Sequence, residues 1–323
     1  MEKQFNVLIV GAGNIGAFFD RPSSQNILTH AHAFSKMEGF NLLGFVDVSK
    51  EKGMKASKLW GVKYFSSIEE AFNKDKIDVV SVCVPDEYHY SVLKKLSNFP
   101  LKLVFAEKPL AKNVKEAEEI IKTYKDKNIK CLINYSRRFV PEFEILKDKV
   151  ASGEYGKFIC GSGYYGKGTL HNGSHLIDFL RYTIGEINDF NSIDYNFDFY
   201  KDDPSVSAIL HFKNGGNFVM QNVPCDNYTI FEFELLFQNK RIRIIDSGFK
   251  IEEYDVIDSK TFNGYKNLSK EKEYKTELNM AMLNAVKNIY NNLVYNENLK
   301  CTLEDGYKAM KVCEGLKAGI KHE

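Results

Sequence analysis

A chain of 323 residues is long enough for two domains with well-filled cores. Its 44% hydrophobic and 27% charged residues are those of a globular protein. A formal net charge of +1 argues against a nucleic-acid surface or a polybasic membrane patch as the main partner. No apolar run approaches the length of a membrane span and no signal-peptide pattern opens the chain, so a cytoplasmic protein is expected. The six cysteines are scattered without a C-x-x-C pair and several lie in apolar runs. Buried, reduced thiols are therefore expected, and no bound metal.

The first element is the run Val7-Leu8-Ile9-Val10, a strand buried on both faces of a parallel sheet. It runs into Gly11-Ala12-Gly13-Asn14-Ile15-Gly16, glycines at G-x-G-x-x-G spacing. Gly11 permits the tight turn, Gly13 leaves room for a pyrophosphate, and Gly16 lets a following helix pack close to the sheet. The N-terminus of such a helix suits a phosphate. The pattern alone is weak, but a second apolar run, Leu42 to Val46, closes on Asp47. A carboxylate there would accept hydrogen bonds from ribose hydroxyls and repel a 2′-phosphate, which favours NAD over NADP; Lys50 nearby keeps NADP open. Asp47 lies further on than the usual spacing, and the polar segment Asp20 to Thr29 is the insertion that accounts for the excess.

Further along, the chain alternates helices with strands. Helical stretches begin at His30, Glu51, Ile68, Tyr88 and Val114, and strands are expected at Val62–Phe65, Ile77–Val84, Leu101–Ala106 and Ile129–Asn134. This alternation is the signature of a doubly wound parallel sheet, whose ligands bind beyond the carboxyl ends of the strands. Pro85, His89, Glu107 and Lys108 all fall at that edge and are assigned to the cofactor crevice. Lys108 reads equally as a group that meets a substrate oxygen or as a surface lysine before a proline-initiated helix. Tyr135 and Arg138, just after the last parallel strand, are candidates for holding a polar substrate.

Past residue 150 the pattern changes to strands without intervening helices: Lys157–Gly166, Ser205–Phe212, Asn217–Val223, Tyr228–Phe237, Lys240–Ile245 and Phe249–Ile257. These indicate an antiparallel sheet with one face solvated or covered by a partner. One helix, Gly173 to Ile184, interrupts the series, and two more finish the chain at roughly Glu277–Asn296 and Leu303–His322. The fold class is thus α/β plus α+β. Residues 1–130 form a dinucleotide-binding domain; 131–323 form a substrate-binding and oligomerisation domain whose final helices could pack back on the first.

In the interrupting helix, His171, His175 and Asp178 have i, i+4, i+7 spacing and would share a face. A histidine oriented by a carboxylate can exchange a proton near neutral pH, as hydride transfer from a secondary alcohol requires. A histidine paired with Asp178 for stability alone is the bland alternative. Zinc ligation ranks last, since no further ligand stands nearby. The loop Lys167 to Ser174, with Asn172, is a candidate for reading a polyhydroxylated ligand.

Taken in order, G-A-G-N-I-G, P-D-E-Y-H at Pro85–His89, A-E-K-P-L at Ala106–Leu110, N-Y-S-R-R-F at Asn134–Phe139, H-L-I-D-F-L-R-Y at His175–Tyr182 and T-L-E-D-G at Thr302–Gly306 resemble the Gfo/Idh/MocA family of oxidoreductases. The resemblance implies an N-terminal Rossmann domain, a C-terminal domain on a large open antiparallel sheet used for oligomer contacts, and a tightly held nicotinamide. It implies that Lys108 and His175 face the nicotinamide and the reacting carbon, and that the Lys108–Pro109 bond is cis. Members commonly carry an aspartate four residues before the helix histidine; here that position is His171. Asp178 or Lys108 would then take the supporting role.

The expected activity is NAD(P)-dependent hydride transfer to or from a secondary hydroxyl or ketone of a sugar, cyclitol or nucleotide-linked sugar, in a homodimer or homotetramer. The rival is a catalytically silent NAD-binding sensor of the same fold.

Overall fold

The computed structural model describes residues 4–320. Its first sheet contains β1 (Phe5–Val10), β2 (Phe40–Val46), β3 (Lys63–Phe65), β4 (Val79–Val82), β5 (Leu103–Ala106) and β6 (Lys130–Ile133). All pair in parallel, in the order β3-β2-β1-β4-β5-β6. That is the doubly wound order, and its direction reverses between β1 and β4. The helices are α1 (His30–Lys36), α2 (Lys50–Trp60), α3 (Ile68–Lys74), α4 (His89–Leu96) and α5 (Val114–Asp126). Side chains at their starts explain where they begin: Thr29, Ser49, Ser67 and Asn113 each accept a backbone N–H from the first turn.

One expectation fails here. The glycine turn feeds no full helix, only a five-residue π-helical turn, Asn14–Phe18. The insertion is the cause. The buried Asp20 carboxylate accepts the Leu28 N–H at 2.6 Å, the Thr29 N–H at 3.2 Å and the Thr29 hydroxyl at 2.5 Å, and lies 2.9 Å from His32 Nδ1. These bonds close residues 20–29 into an anchored loop and postpone the helix to His30. A long helix dipole behind the glycine turn is therefore missing.

In the chain, α6 (Pro141–Ala151) precedes the second sheet and α7 (Ser174–Thr183) falls between its first and second strands. This sheet has eight strands: β7 (Phe158–Tyr165), β8 (Ile187–Asn196), β9 (Ser205–Phe212), β10 (Asn217–Asn222), β11 (Glu232–Phe237), β12 (Lys240–Ile245), β13 (Lys250–Asp258) and β14 (Lys266–Lys275). Their order is β14-β13-β12-β11-β7-β10-β9-β8. The sheet is mixed rather than wholly antiparallel, because β7 and β10 run parallel at its centre. Alternation along β9 and β11 buries Val206, Ala208, Leu210, Phe212, Phe233, Leu235 and Phe237 on one face. Phe179 of α7 packs on Phe233 at 5.0 Å between ring centroids. A Cβ on Gly163 would sit 2.4 Å from that of Phe233, so the absence of a side chain there makes room for the ring.

The chain ends with α8 (Ala281–Tyr295) and α9 (Leu303–Ala318). Thr302 and Asp305 start α9 with reciprocal bonds, the Thr302 N–H and hydroxyl donating to the Asp305 carboxylate at 2.9 and 2.8 Å. Two compact units result: one comprises the chain through Phe139 with Asn279–Lys308, the other Val140–Leu278 and the chain from Ala309 on. All six cysteines carry free thiols. No helix among the described residues is long and apolar enough to cross a membrane.

Candidate functional site

In the first unit the chemistry gathers at the carboxyl edge, where β1 and β4 diverge. The Gly11 N–H bonds the end of β2 at Val46 O, and the Cys83 N–H bonds Val10 O, so the two loops leave the sheet side by side. Gly11 has φ +99°, and a Cβ there would lie 2.6 Å from the Cys83 carbonyl carbon. Only glycine fits. Gly13 is the opposite case: a Cβ would meet nothing within 4 Å. The protein itself does not need glycine there, and the open space above its backbone suits a pyrophosphate.

Asp47 ends β2 and braces this turn. Its Oδ2 accepts the Ala12 N–H at 2.7 Å and its Oδ1 the Ser49 N–H at 2.7 Å. The remaining lone pairs on the half-exposed carboxylate are what a ribose diol would use. Asn14 and Pro85 are exposed on the two loops, with Ile15 half-buried. The edge thus has the turn, the space and the acidic group that a dinucleotide needs.

His89 takes a different place from the one its spacing suggested. Its ring is 1% exposed, with Nδ1 2.5 Å from Pro109 O and Nε2 2.9 Å from Val84 O. It ties the loop after β4 to the turn after β5. That second turn carries Glu107, Lys108 and Pro109, with the Lys108–Pro109 bond cis. The residues on its other flank were missed by sequence reasoning. Glu107 Oε1 lies 2.9 Å from His30 Nε2 and accepts the Asn134 amide at 2.6 Å. His30 Nδ1 is 2.6 Å from the Ser81 hydroxyl, and its ring packs on Phe105 at 4.5 Å.

Burial opposes a charge on His30, but the Cys83 thiol and the Glu107 carboxylate beside it push it up to about 10. Burial likewise works against the Glu107 carboxylate, yet the bonds from His30 and Asn134 hold it below the usual carboxylate range. Lys108 follows directly and is only 9% exposed. Of the two residues expected to meet substrate here, Tyr135 is buried. Arg138 is 6% exposed, with its guanidinium 3.1 Å from Asp305 and donating to Lys300 O at 3.0 Å. Those bonds give Arg138 a structural task, fastening the loop before α9 to this unit.

In the second unit, His171 lies in a π-helical turn, Gly168–Gly173, that precedes α7; His175 and Asp178 lie within α7 itself. The change of helical pitch alters the simple one-face reading of the three. The His171 N–H donates to Asp203 at 2.9 Å and its ring lies 4.8 Å from that of Tyr200. The Asn172 amide donates to Gly166 O at 2.9 Å. His175 is half-buried. Asp178 is 2% exposed and 3.9 Å from the Arg181 guanidinium, which also bonds Glu186 at 3.0 Å. Lys167, at the mouth of this turn, is held in the left-handed region at φ 65°, where its N–H meets Asp198 at 2.7 Å. Bonds from Lys167, Ser205 and Cys225 keep Asp198 below the usual carboxylate range against the effect of its burial.

Comparison with known proteins follows the same outline. Residues 5–135 match the family described as an oxidoreductase family with an NAD-binding Rossmann fold. This stretch is similar to the Gfo/Idh/MocA family. Among curated relatives, 4-carboxy-2-hydroxymuconate-6-semialdehyde dehydrogenase of Sphingobium is 22% identical over 51% of this chain and 58% of its own length. The scyllo-inositol 2-dehydrogenase (NAD(+)) of Bacillus subtilis is 25% identical over 61% of this chain and 53% of its own. The chain therefore spans a little over half the length of these relatives. Levoglucosan dehydrogenase, solved in complex with NADH and L-sorbose, superposes with a TM-score of 0.80 at 15% identity, covering 98% of this chain and 96% of that one. The fold is thus shared along almost the whole length.

Proposed function

We propose that this protein is an NAD-dependent oxidoreductase acting on a secondary hydroxyl or ketone of a sugar, cyclitol or nucleotide-linked sugar. One observation carries the reading: a glycine turn braced by Asp47 shares its sheet edge with a turn that holds the largely buried Lys108. NAD, when bound, would accept the hydride from the carbinol carbon. Gly11, Gly13, Asn14, Ile15 and Gly16 would carry its pyrophosphate and Asp47 its ribose. Lys108 stabilises the charge that develops on the substrate oxygen, an electrostatic effect that contributes several kcal/mol in a water-poor site. His175 takes the hydroxyl proton. Tyr135, His171 and Asn172 belong to the substrate side of this proposal, and Asp178 supports the helix histidine. The partly matched relatives act on related hydroxyl or aldehyde groups, which favours a small polar substrate.

The test is a panel of inositols, aldoses and nucleotide sugars incubated with NAD and, separately, NADP. A rise in reduced-nicotinamide absorbance with at least one of them, faster with NAD, is the expected result. NAD binding with no turnover of any substrate in either direction would overturn the enzymatic reading. It would point instead to a sensor, the outcome that His171 at the family's usual aspartate position keeps open.

A further inference from the structure

The proposed mechanism leaves one buried group unused, the His30 imidazole. It is 0% exposed, on the first turn of α1, with both ring nitrogens engaged: Ser81 on β4 at 2.6 Å and Glu107 at 2.9 Å. Its partner Glu107 is the residue before Lys108 and lies within electrostatic reach of that ammonium. A lone carboxylate in this position would pair with Lys108 and draw its charge away from a substrate. Glu107 is not alone.

We propose that His30 is a positioning residue for Lys108: it fixes and neutralises the adjacent Glu107 carboxylate, so that the ammonium is presented to the substrate rather than to its neighbour. The inference rests on the reading of Lys108 as the group that meets the substrate oxygen. Among the described residues, the charged and titratable groups that act on the pair include Cys83, just after β4, on His30, and Lys108, next in the chain, on Glu107. Ser81, Phe105 and Asn134 add uncharged contacts. An imidazolium is favoured among these neighbours, so His30 and Glu107 together are close to neutral.

The experiment follows the Lys108 amine itself, in protein labelled with ¹³C-lysine, its signal assigned by its loss in Lys108→Arg. In His30→Gln the amide can still donate to Glu107 but brings no charge. The Lys108 titration midpoint should then rise by about one pH unit, because Glu107 is left to the ammonium alone. Glu107→Gln should lower it, and adding His30→Gln to Glu107→Gln should change nothing further. Ser81→Ala, which removes the other ring partner and leaves Glu107 intact, should give a smaller rise and serves if His30→Gln does not fold. An unchanged midpoint in both His30→Gln and Ser81→Ala overturns the proposal. None of these measurements needs turnover. A shifted midpoint with no substrate oxidised refutes the proposed activity and leaves this inference standing; a fixed midpoint in an active enzyme does the reverse. With a substrate in hand, His30→Gln should lose about tenfold in kcat with little change in KM for NAD.

Discussion

The backbone N–H of Ala12 donates to the Asp47 carboxylate across 2.7 Å, joining the middle of the glycine turn to the end of the neighbouring strand. The acidic residue that would read the ribose is therefore also a brace for the pyrophosphate loop. Asp47→Ala removes two charge-assisted bonds to backbone N–H groups, each worth about 1.5–3 kcal/mol. NAD should bind roughly 10- to 100-fold more weakly, and the preference over NADP should shrink. Titrating both nucleotides into the variant checks this; unchanged NAD affinity would remove Asp47 from the site.

Gly11 and Gly13 should behave in opposite ways. Gly13→Ala meets no protein atom within 4 Å, so thermal stability should stay within about 1 kcal/mol of the parent while NAD affinity falls at least tenfold. Gly11→Ala would force a Cβ to within 2.6 Å of Cys83 backbone atoms at φ +99°. It should destabilise the unit by several kcal/mol before any ligand is added. Calorimetry alongside nucleotide titration separates a cost in folding from a cost in binding.

Lys108→Ala should cut kcat by about two orders of magnitude or more and leave the NAD dissociation constant within a few-fold. His175→Ala should lower kcat most at neutral pH, with partial recovery as the pH rises and hydroxide replaces the missing base. Steady-state kinetics with the substrate found in the panel decides both. Equal losses in NAD affinity would show that Lys108 holds the nucleotide instead.

Arg138 and Asp305 should matter for stability more than for turnover. The pair is 3.1 Å apart and the arginine side chain is nearly enclosed. Arg138→Leu should cost about 3 kcal/mol, because it removes the cation beside Asp305 and a donor to Lys300 O. A urea melt should show the loss, while kcat of the folded fraction stays near the parent value. Asp305→Asn combined with Arg138→Leu should cost less than the sum of the two.

The His30–Glu107 pair makes stability depend on pH in a defined direction. His30 is raised from 6.5 to about 10, so its contribution is complete below about pH 6.5 and is lost as the pH climbs toward 10. Glu107 is lowered, so its contribution is present above about 4.5 and is lost as the pH falls. Urea midpoints of the parent and His30→Gln should differ most between those limits and converge near pH 10. A gap that widens with rising pH would contradict the assignment.

The parallel half of the fold was legible because its strands are short, contiguous apolar runs such as Val79–Val82, buried on both faces. Two strands of the other sheet left no such trace. β14 carries the sequence Lys-Asn-Leu-Ser-Lys-Glu-Lys-Glu-Tyr-Lys and is held to β13 by charge as well as by its backbone. Lys270 reaches Glu252 at 2.8 Å and Lys272 reaches Glu253 at 3.3 Å. β8 buries none of its residues and is mostly polar, and its period cannot be read from hydrophobicity. Of the candidate-site residues, Gly11, Asp47 and Lys108 can be singled out in the sequence by their spacing from a strand. His30 did not, since its partners Ser81 and Glu107 lie 51 and 77 residues away and only the sheet brings them together. A local window also cannot tell that the Arg138 guanidinium is used by Lys300 and Asp305, which follow more than 160 residues later.

The division of the chain has a consequence for synthesis. The first unit draws on Asn279–Lys308 and the second on the stretch from Ala309 onward, so each lacks a part until those late segments have been made. The apolar strands β1 to β6 would wait, with their last covering helix unmade, while more than a hundred residues of the other unit emerge. A nascent chain of this design is a natural client for holding chaperones, and a frameshift ahead of Asn279 would leave both units unfinished rather than one.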